Sequence, residues 1–252
     1  MCNFELRRKT DLNLIIEFDR YKQENVELMN RFNELHEQIE KQGISSYEDL
    51  QRVNQHLDKT LVKLASNTEP FRLGGRAFGI FGLTSAGKSS IINKLLGYDP
   101  TKIDNHETTK KIQIYEGQSY RLFDIPDIND DISYFTMDYI AFLKGLTKRL
   151  VLITTTITEM IKCFRFLDAI NLRYDIIINK FDLIPISRRQ EFKKIINQQI
   201  RELNLQGVDH VWYISVLNPN QCPDWSTMIN SLNYHPENVF NDYDFFDNDF
   251  YE

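Results

Sequence analysis

The residues best suited to chemistry lie between Gly82 and Val216. Gly82-Leu83-Thr84-Ser85-Ala86-Gly87-Lys88-Ser89 has the spacing G-x-x-x-x-G-K-[ST]. Glycines in such a loop let backbone N–H groups curl around phosphate oxygens without a Cβ clash. An apolar run, Ala77 to Phe81, feeds the loop, and Ile91-Ile92-Asn93-Lys94-Leu95-Leu96 leaves it with helical character. A helix starting there adds its N-terminal dipole to an anion site. In this pattern Lys88 neutralises β and γ phosphates, and the Ser89 hydroxyl ligates Mg²⁺.

A second string names the base. Asn179-Lys180-Phe181-Asp182 follows the apolar run Tyr174–Ile178. The Asp182 carboxylate can accept two hydrogen bonds from guanine, at N1–H and the exocyclic amino group. Adenine has no such donor pair, and sites that leave a buried polar group unpaired discriminate by factors of about 10⁴ or more. Asn179 is expected to tie this loop to the phosphate loop, with the Lys180 stem over the base. At the end of the last strand the backbone of Ser215 and Val216 offers a bond to guanine O6. Two further acids and two threonines complete the set. Asp124, in Phe123-Asp124-Ile125-Pro126-Asp127, closes a strand and would hold Mg²⁺ through water. Glu107-Thr108-Thr109-Lys110 lies before that strand, and a threonine bonding Mg²⁺ and γ-phosphate together would make the loop a nucleotide sensor. The expected metal set is therefore Ser89, Thr109 and Asp124.

These motifs need strand ends gathered on one edge of a sheet. Apolar strand-like runs occur at Ala77–Phe81, Lys111–Tyr115, Tyr120–Asp124, Leu150–Thr154, Asp175–Asn179 and His210–Ser215. Helix-like runs lie between most of them, at Lys88–Leu96, Ile132–Leu146, Ile157–Asn171, Ser187–Leu205 and Trp225–Leu232. Alternation of this kind predicts an α/β fold, a three-layer arrangement with a mostly parallel sheet. Only Glu116 to Ser119 join the second and third strands, so that pair should be antiparallel. Before residue 76 the chain reads as an α-helical hairpin. Leu14, Phe18, Tyr21, Asn25, Leu28, Phe32, Leu35 and Ile39 recur at spacings of four and three, the seam of a coiled coil. Gly43 breaks the pattern, and Ser45 with Glu48 has capping-box spacing. Tyr47, Leu50, Asn54, Leu57, Leu61 and Leu64 then resume it. Thr68 to Gly75, with Pro70, Gly74 and Gly75, reads as a linker. The expected division is 1–75 hairpin and linker, 76–234 nucleotide domain, and 235–252 tail. From Asn241 to Glu252 the tail holds five acids, five aromatics and no basic residue, a composition expected to be disordered.

Composition bounds the reading. Apolar residues make up 42% and charged residues 26%, as in a soluble globular chain. A net charge of −6 argues against nonspecific nucleic-acid binding. No apolar run approaches the ~20 residues of a membrane span. Met1 to Thr10 are polar and charged, with no sign of a secretory leader, and Cys2 in place of glycine excludes N-myristoylation. Cys2, Cys163 and Cys222 form neither a disulfide framework nor a zinc pattern, so a cytoplasmic home is expected. The five histidines have no metal-ligand spacing.

Together the motifs resemble a P-loop GTPase G domain of the translation-factor-related class over residues 76 to about 234. The segment Ser85-Ala86-Gly87-Lys88-Ser89-Ser90 is similar to the phosphate loop of dynamin-like and immunity-related GTPases, and Thr108-Thr109-Lys110 resembles the switch threonines of Era-like GTPases. The resemblance implies GTP and GDP as ligands, Mg²⁺, and catalysis centred on Lys88 and Thr109. It implies a monovalent cation held by Ser85, the position where dynamins use a serine. It also implies a homodimer through G domains and, for the helical hairpin, contacts with other proteins. One position departs: the family's Asp-x-Pro-Gly is Asp124-Ile125-Pro126-Asp127 here. Asp127 places a side chain and a charge where a glycine N–H reaches the γ-phosphate, so slow hydrolysis is expected. Ile128 stands where Ras-like proteins carry a catalytic glutamine, and no arginine lies within Leu83 to Ala86. A GTP-binding module with little hydrolysis that gates its hairpin is the second reading. A P-loop kinase or ATPase is disfavoured by the Asn179–Asp182 string.

Overall fold

The computed structural model describes residues 12–97, 112–126 and 134–233. Thr108, Thr109, Asp127 and the 235–252 tail lie outside the described residues. Four helices come first: α1 (Leu12–Glu24), α2 (Val26–Lys41), α3 (Tyr47–Val53) and α4 (Gln55–Asn67). Then follow β1 (Ala77–Gly82), α5 (Lys88–Leu96), β2 (Gln113–Glu116), β3 (Arg121–Asp124) and α6 (Met137–Gly145). The remainder is β4 (Lys148–Ile153), α7 (Ile161–Ala169), β5 (Tyr174–Ile178), α8 (Arg189–Glu202), β6 (Val208–Tyr213) and α9 (Asp224–Asn233).

The six strands form one sheet in the order β2-β3-β1-β4-β5-β6. Five run parallel; β2 alone is antiparallel, against β3. Nearly every residue of β1, β4 and β5 is buried, as expected of strands covered on both faces. On one face Ile80, Leu150, Leu152 and Ile177 pack against Ile91 and Ile92 of α5 and Met228 and Leu232 of α9. On the other, Phe81, Phe123, Val151, Ile153 and Ile176 pack against α6, α7 and α8.

The N-terminal helices extend that second core. Phe32, Leu35, Ile39, Leu50, Leu57, Leu61 and Leu64 are buried in the same cluster as Phe142, Phe164 and Phe166. Polar contacts fix the docking: Lys22 pairs with Asp138 of α6 (3.2 Å) and Glu48 with Arg165 of α7 (3.2 Å). Asn54 at the start of α4 donates to Gln42 just past α2 (3.0 Å), and Tyr21, in α1, donates to Glu69 O just past α4 (2.8 Å). Those two ends pin α2 and α4 antiparallel. Each of the two expected helices is split at its asparagine. Asn25 is the joint between α1 and α2, where its side chain turns back to the Tyr21 carbonyl (2.8 Å). Asn54 caps α4 by accepting from the N–H groups of His56 and Leu57. Asparagine competes for backbone bonds in this way and so sits better at a break than in a seam. The cap of α3 is Ser46, accepting from Asp49 N–H (3.2 Å), one residue later than the expected Ser45–Glu48 box. Glu48 instead makes the bridge to α7.

Residues 68–75 are held tightly. Thr68, Phe71 and Leu73 are buried, and Phe71 N–H donates to Ala141 O (2.9 Å). Phe71 meets the Phe18 ring edge-on at 4.9 Å. Its carbonyl approaches the last residue of α6 so closely that a Cβ at Gly145 would lie 2.0 Å from Phe71 O. The α6 end is completed by Arg149, whose buried guanidinium donates to Leu143 O, Lys144 O, Leu146 O and Arg173 O. A cation bonding the last carbonyls matches the negative end of the helix dipole.

Gly145→Ala should destabilise the whole chain by about 1–3 kcal/mol, the cost of overpacking against a backbone atom. Denaturant unfolding of parent and variant measures it; an unchanged midpoint would show that this approach is loose.

Candidate functional site

The C-terminal ends of β1, β3, β5 and β6 share one edge of the sheet, and the chemistry-bearing loops follow them. After β1, Thr84–Ala86 make one 3₁₀ turn and Gly87 takes φ 99°, a left-handed backbone. Glycine is needed there twice over, because a Cβ would also lie 2.4 Å from Asn179 Nδ2. The turn delivers the chain into α5 at Lys88 with no side chain capping the helix. Among the described residues no side chain thus caps its first N–H groups, the arrangement an anion satisfies. Lys88 Nζ folds back over the loop and donates to Gly82 O (2.6 Å). Ser85, Ser89 and Ser90 are exposed on the rim, and Ala86 is buried beneath it.

Asn179, almost fully buried, joins this loop to the base side. Its Nδ2 donates to Ala86 O (2.9 Å), and its Oδ1 accepts from Val216 N–H (3.2 Å). Lys180 adopts φ 61° and sends Nζ to Ser85 O (3.0 Å). Asp182 is next, half-buried, with Asn218 Nδ2 donating to its Oδ2 (2.8 Å). Asn218 N–H in turn donates to Ser215 Oγ (2.9 Å). Burial acts to raise the Asp182 carboxyl, but the bonds from Asn218 and Ser215 outweigh it and hold the group below the usual range. The Asp182 carboxylate is thus held in its ionised, accepting form.

Asp124 ends β3, which pairs with β1 at Ile80. Its Oδ1 is buried and has no hydrogen-bond partner among the described residues. Burial pushes its carboxyl up to about 6, with the Lys88 ammonium drawing it back down. A buried carboxylate with a phosphate-loop lysine as its charged neighbour is chemistry that fits a hydrated divalent cation. Among the described residues no cluster of three or more His, Cys, Asp and Glu could hold a metal by itself. Mg²⁺ would thus draw on Ser89, on Asp124 and on oxygens of a bound phosphate. Thr109, the third expected ligand, and Thr108 and Asp127 lie outside the described residues.

Two residues at this edge were not legible in the motifs. Asn218 supports Asp182 from a separate loop, and its only signal is a position three residues after Ser215. Glu159 follows β4 and accepts from the N–H groups of Thr154 (2.9 Å), Thr155 (2.6 Å) and Thr156 (3.0 Å). Burial opposes these bonds, which prevail and keep its carboxyl below the usual range. The spacing Thr156-x-x-Glu159 is a capping box and could have been read as one.

A phosphate loop after β1, an aspartate at the end of β3 and an Asn-Lys-x-Asp after β5, on a six-stranded sheet with one antiparallel edge strand, define a P-loop GTPase G domain. Residues 77–205 match the family described as 50S ribosome-binding GTPase, and the chain belongs to that family. No curated protein matches the chain. Solved structures that align with it include a probable GTP-binding protein engB, at 15% identity, over 62% of this chain and 97% of that one, TM-score 0.45. A GTP-binding protein from the hyperthermophilic archaeon Sulfolobus solfataricus in complex with GDP aligns at 18% identity, over 91% and 68%, TM-score 0.39. Translation elongation factor SelB from Methanococcus maripaludis aligns at 14% identity, over 64% of this chain and 34% of that one, TM-score 0.44.

Asn179→Ala removes both bonds of the clamp and leaves Val216 N–H and Ala86 O to find other partners. Nucleotide-free protein should lose about 1–3 kcal/mol of stability in chemical denaturation. Asp124 gives a pH signature of its own. Its folded value, about 6, lies above the ordinary 3.8, so the folded state holds the proton more tightly. Stability of nucleotide-free protein should therefore be greatest below about pH 4 for this group and fall as pH rises through 6. Asp124→Asn should abolish that fall and stabilise the nucleotide-free protein at pH 8 by up to about 3 kcal/mol. Parallel melts at pH 4.5 and pH 8, as round working values either side of about 6, would show the difference.

Proposed function

We propose that the chain binds guanine nucleotide with Mg²⁺ and hydrolyses GTP slowly, as a nucleotide-dependent switch. The Asn179 clamp carries this reading. By bonding Ala86 O and Val216 N–H at once, it sets the phosphate loop and the Asp182 carboxylate in one site. Gly82 to Ser90 would cradle the phosphates, with Lys88 facing the β and γ groups. Asp182, Lys180, Ser215 and Val216 would take the guanine ring. Ser89 and Asp124, with Thr109, would hold Mg²⁺, which when bound supplies positive charge to the transferring phosphoryl group. Thr108 and Thr109 would report the γ-phosphate. Ser85 would hold a monovalent cation, in keeping with the dynamin-like character of its loop. Asp127 accounts for slow turnover, since it brings negative charge toward a highly anionic group.

A second reading is favoured by the core itself. The α6 helix follows the Asp124 segment, and α2 and α4 pack on it. A change transmitted to α6 on nucleotide binding would pass to the N-terminal helices, which would then gate contacts with another protein. Little hydrolysis is needed for that. In both readings the chain acts in the cytoplasm, without a nucleic-acid partner, and pairs through its G domains when it self-associates.

Calorimetry with GTP, GDP and ATP tests the base assignment. GTP should bind more tightly than ATP by about a hundredfold or more, a modest share of what paired polar readout can give. Asp182→Asn should move the preference toward xanthine nucleotides, and equal affinities for GTP and ATP would sink the proposal. Turnover measured at matched occupancy separates the two readings, and Asp127→Gly should raise it if that carboxylate is the brake.

A further inference from the structure

Three of the most exposed large apolar side chains lie on the two adjoining loops after β5 and β6. Leu183 is 72% exposed, Ile186 82% and Leu217 82%. Their two loops are stitched into one surface. Asn218 bonds Asp182 (2.8 Å), Phe181 N–H bonds Ile214 O (3.0 Å), and Arg189 Nη1 bonds Gln221 O (3.2 Å). The surface is also basic. From Lys180 to Lys194 the chain carries Lys180, Arg188, Arg189, Lys193 and Lys194 against only Asp182 and Glu191, although its net charge is −6. Lys180, Arg188 and Lys194 are exposed, and Lys193 lies with Nζ 4.4 Å above the Tyr213 ring.

We propose that Asn241–Glu252 of the same chain dock on this surface. That segment contains Asp242, Asp244, Asp247, Asp249 and Glu252, interleaved with Tyr243, Phe245, Phe246, Phe250 and Tyr251. Its acids match the Lys and Arg side chains, and its rings match Leu183, Ile186 and Leu217. Alternation at this spacing lets apolar and charged groups face the same partner together. The segment cannot bury its five rings within itself, so a covered apolar surface elsewhere on the chain is what offsets their exposure.

The reach is sufficient. Helix α9 starts at the site edge, where Asp224 accepts from Tyr213 N–H (3.0 Å). It ends at the opposite edge, where Arg76 donates to Leu232 O (2.9 Å). Its ten residues cover about 15 Å. Seven residues, the number from 234 to 240, can span at most roughly 23 Å, enough to return along that length before Asn241. A segment seated there would flank the base-side opening next to Asp182. The docking itself stands apart from the nucleotide reading.

Photo-cross-linking of the full chain tests it, with p-benzoylphenylalanine in place of Phe246 and no nucleotide added. Cross-links should join that position to peptides 183–194 or 215–221 within a monomer. They should fall about fivefold or more in Ile186→Asp/Leu217→Asp, as expected when a small exposed contact turns repulsive. They should fall also in about 1 M salt, where screening shortens to ~3 Å. Both substituted side chains are exposed, and an unchanged thermal melt shows that the fold is kept. Cross-links elsewhere on the domain, or cross-links to the same peptides only within a covalent dimer, overturn the proposal; the second outcome assigns the surface to the tail of another copy.

Discussion

The site depends on one buried side-chain amide. Asn179 spends its donor on the phosphate loop and its acceptor on the loop after β6, so two segments 130 residues apart are held in register by a single group. Both bonds are shielded from water, where an amide left half-paired costs more than it does at the surface. The rest of the edge follows. Gly87 must lack a Cβ because the amide occupies that space, the α5 helix must then begin at Lys88, and Lys180 crosses to Ser85 because its neighbour is anchored. Asp182 is three residues beyond the pivot and takes its orientation from Asn218.

A comparable economy holds the N-terminal helices to the domain. Arg149 stands in β4, where a charge would ordinarily be excluded, yet its guanidinium meets only carbonyl oxygens at the end of α6 and after Leu172. Burial lowers it to about 10, still far above neutral pH, so it stays charged. It fixes the α6 terminus at the point where residues 68–73 pass over it. Phe71 then serves two bodies at once, covering α6 with Leu73 on one side and meeting Phe18 on the other. The helices and the sheet share one continuous apolar interior as a result.

What could be read from sequence was whatever function or burial confines to a contiguous string. Gly82–Ser89 and Asn179–Asp182 are such strings, and the strands, being buried on both faces, stand out as unbroken apolar runs. The α5 boundaries are legible for the same reason, since Gly87 and Gly97 bracket an apolar stripe. The breaks at Asn25 and Asn54 were not, because apolar spacing continues through them and only the asparagine side chains reveal the turn. Residues 68–75 read as a linker from Pro70, Gly74 and Gly75, whereas burial of Phe71 depends on Gly145, seventy-four residues away. Asn218 escaped notice because its partner is a carboxylate in another segment, which no local pattern encodes, whereas Glu159 closes a capping box with Thr156 that local spacing does encode.

The shared interior has a consequence for how the chain is made. Synthesis delivers α2 and α4 first, with Phe32, Leu35, Leu57 and Leu61 on their surfaces, while α6 and α7 follow only after about a hundred more residues. At roughly 5–20 residues per second that interval lasts on the order of 5–20 s. During it the two helices can cover one another but not the flanks that later meet Phe142 and Phe166. The nascent chain thus carries an apolar stripe early and covers it late, so transient exposure during synthesis, rather than the finished fold, is when it is most open to association.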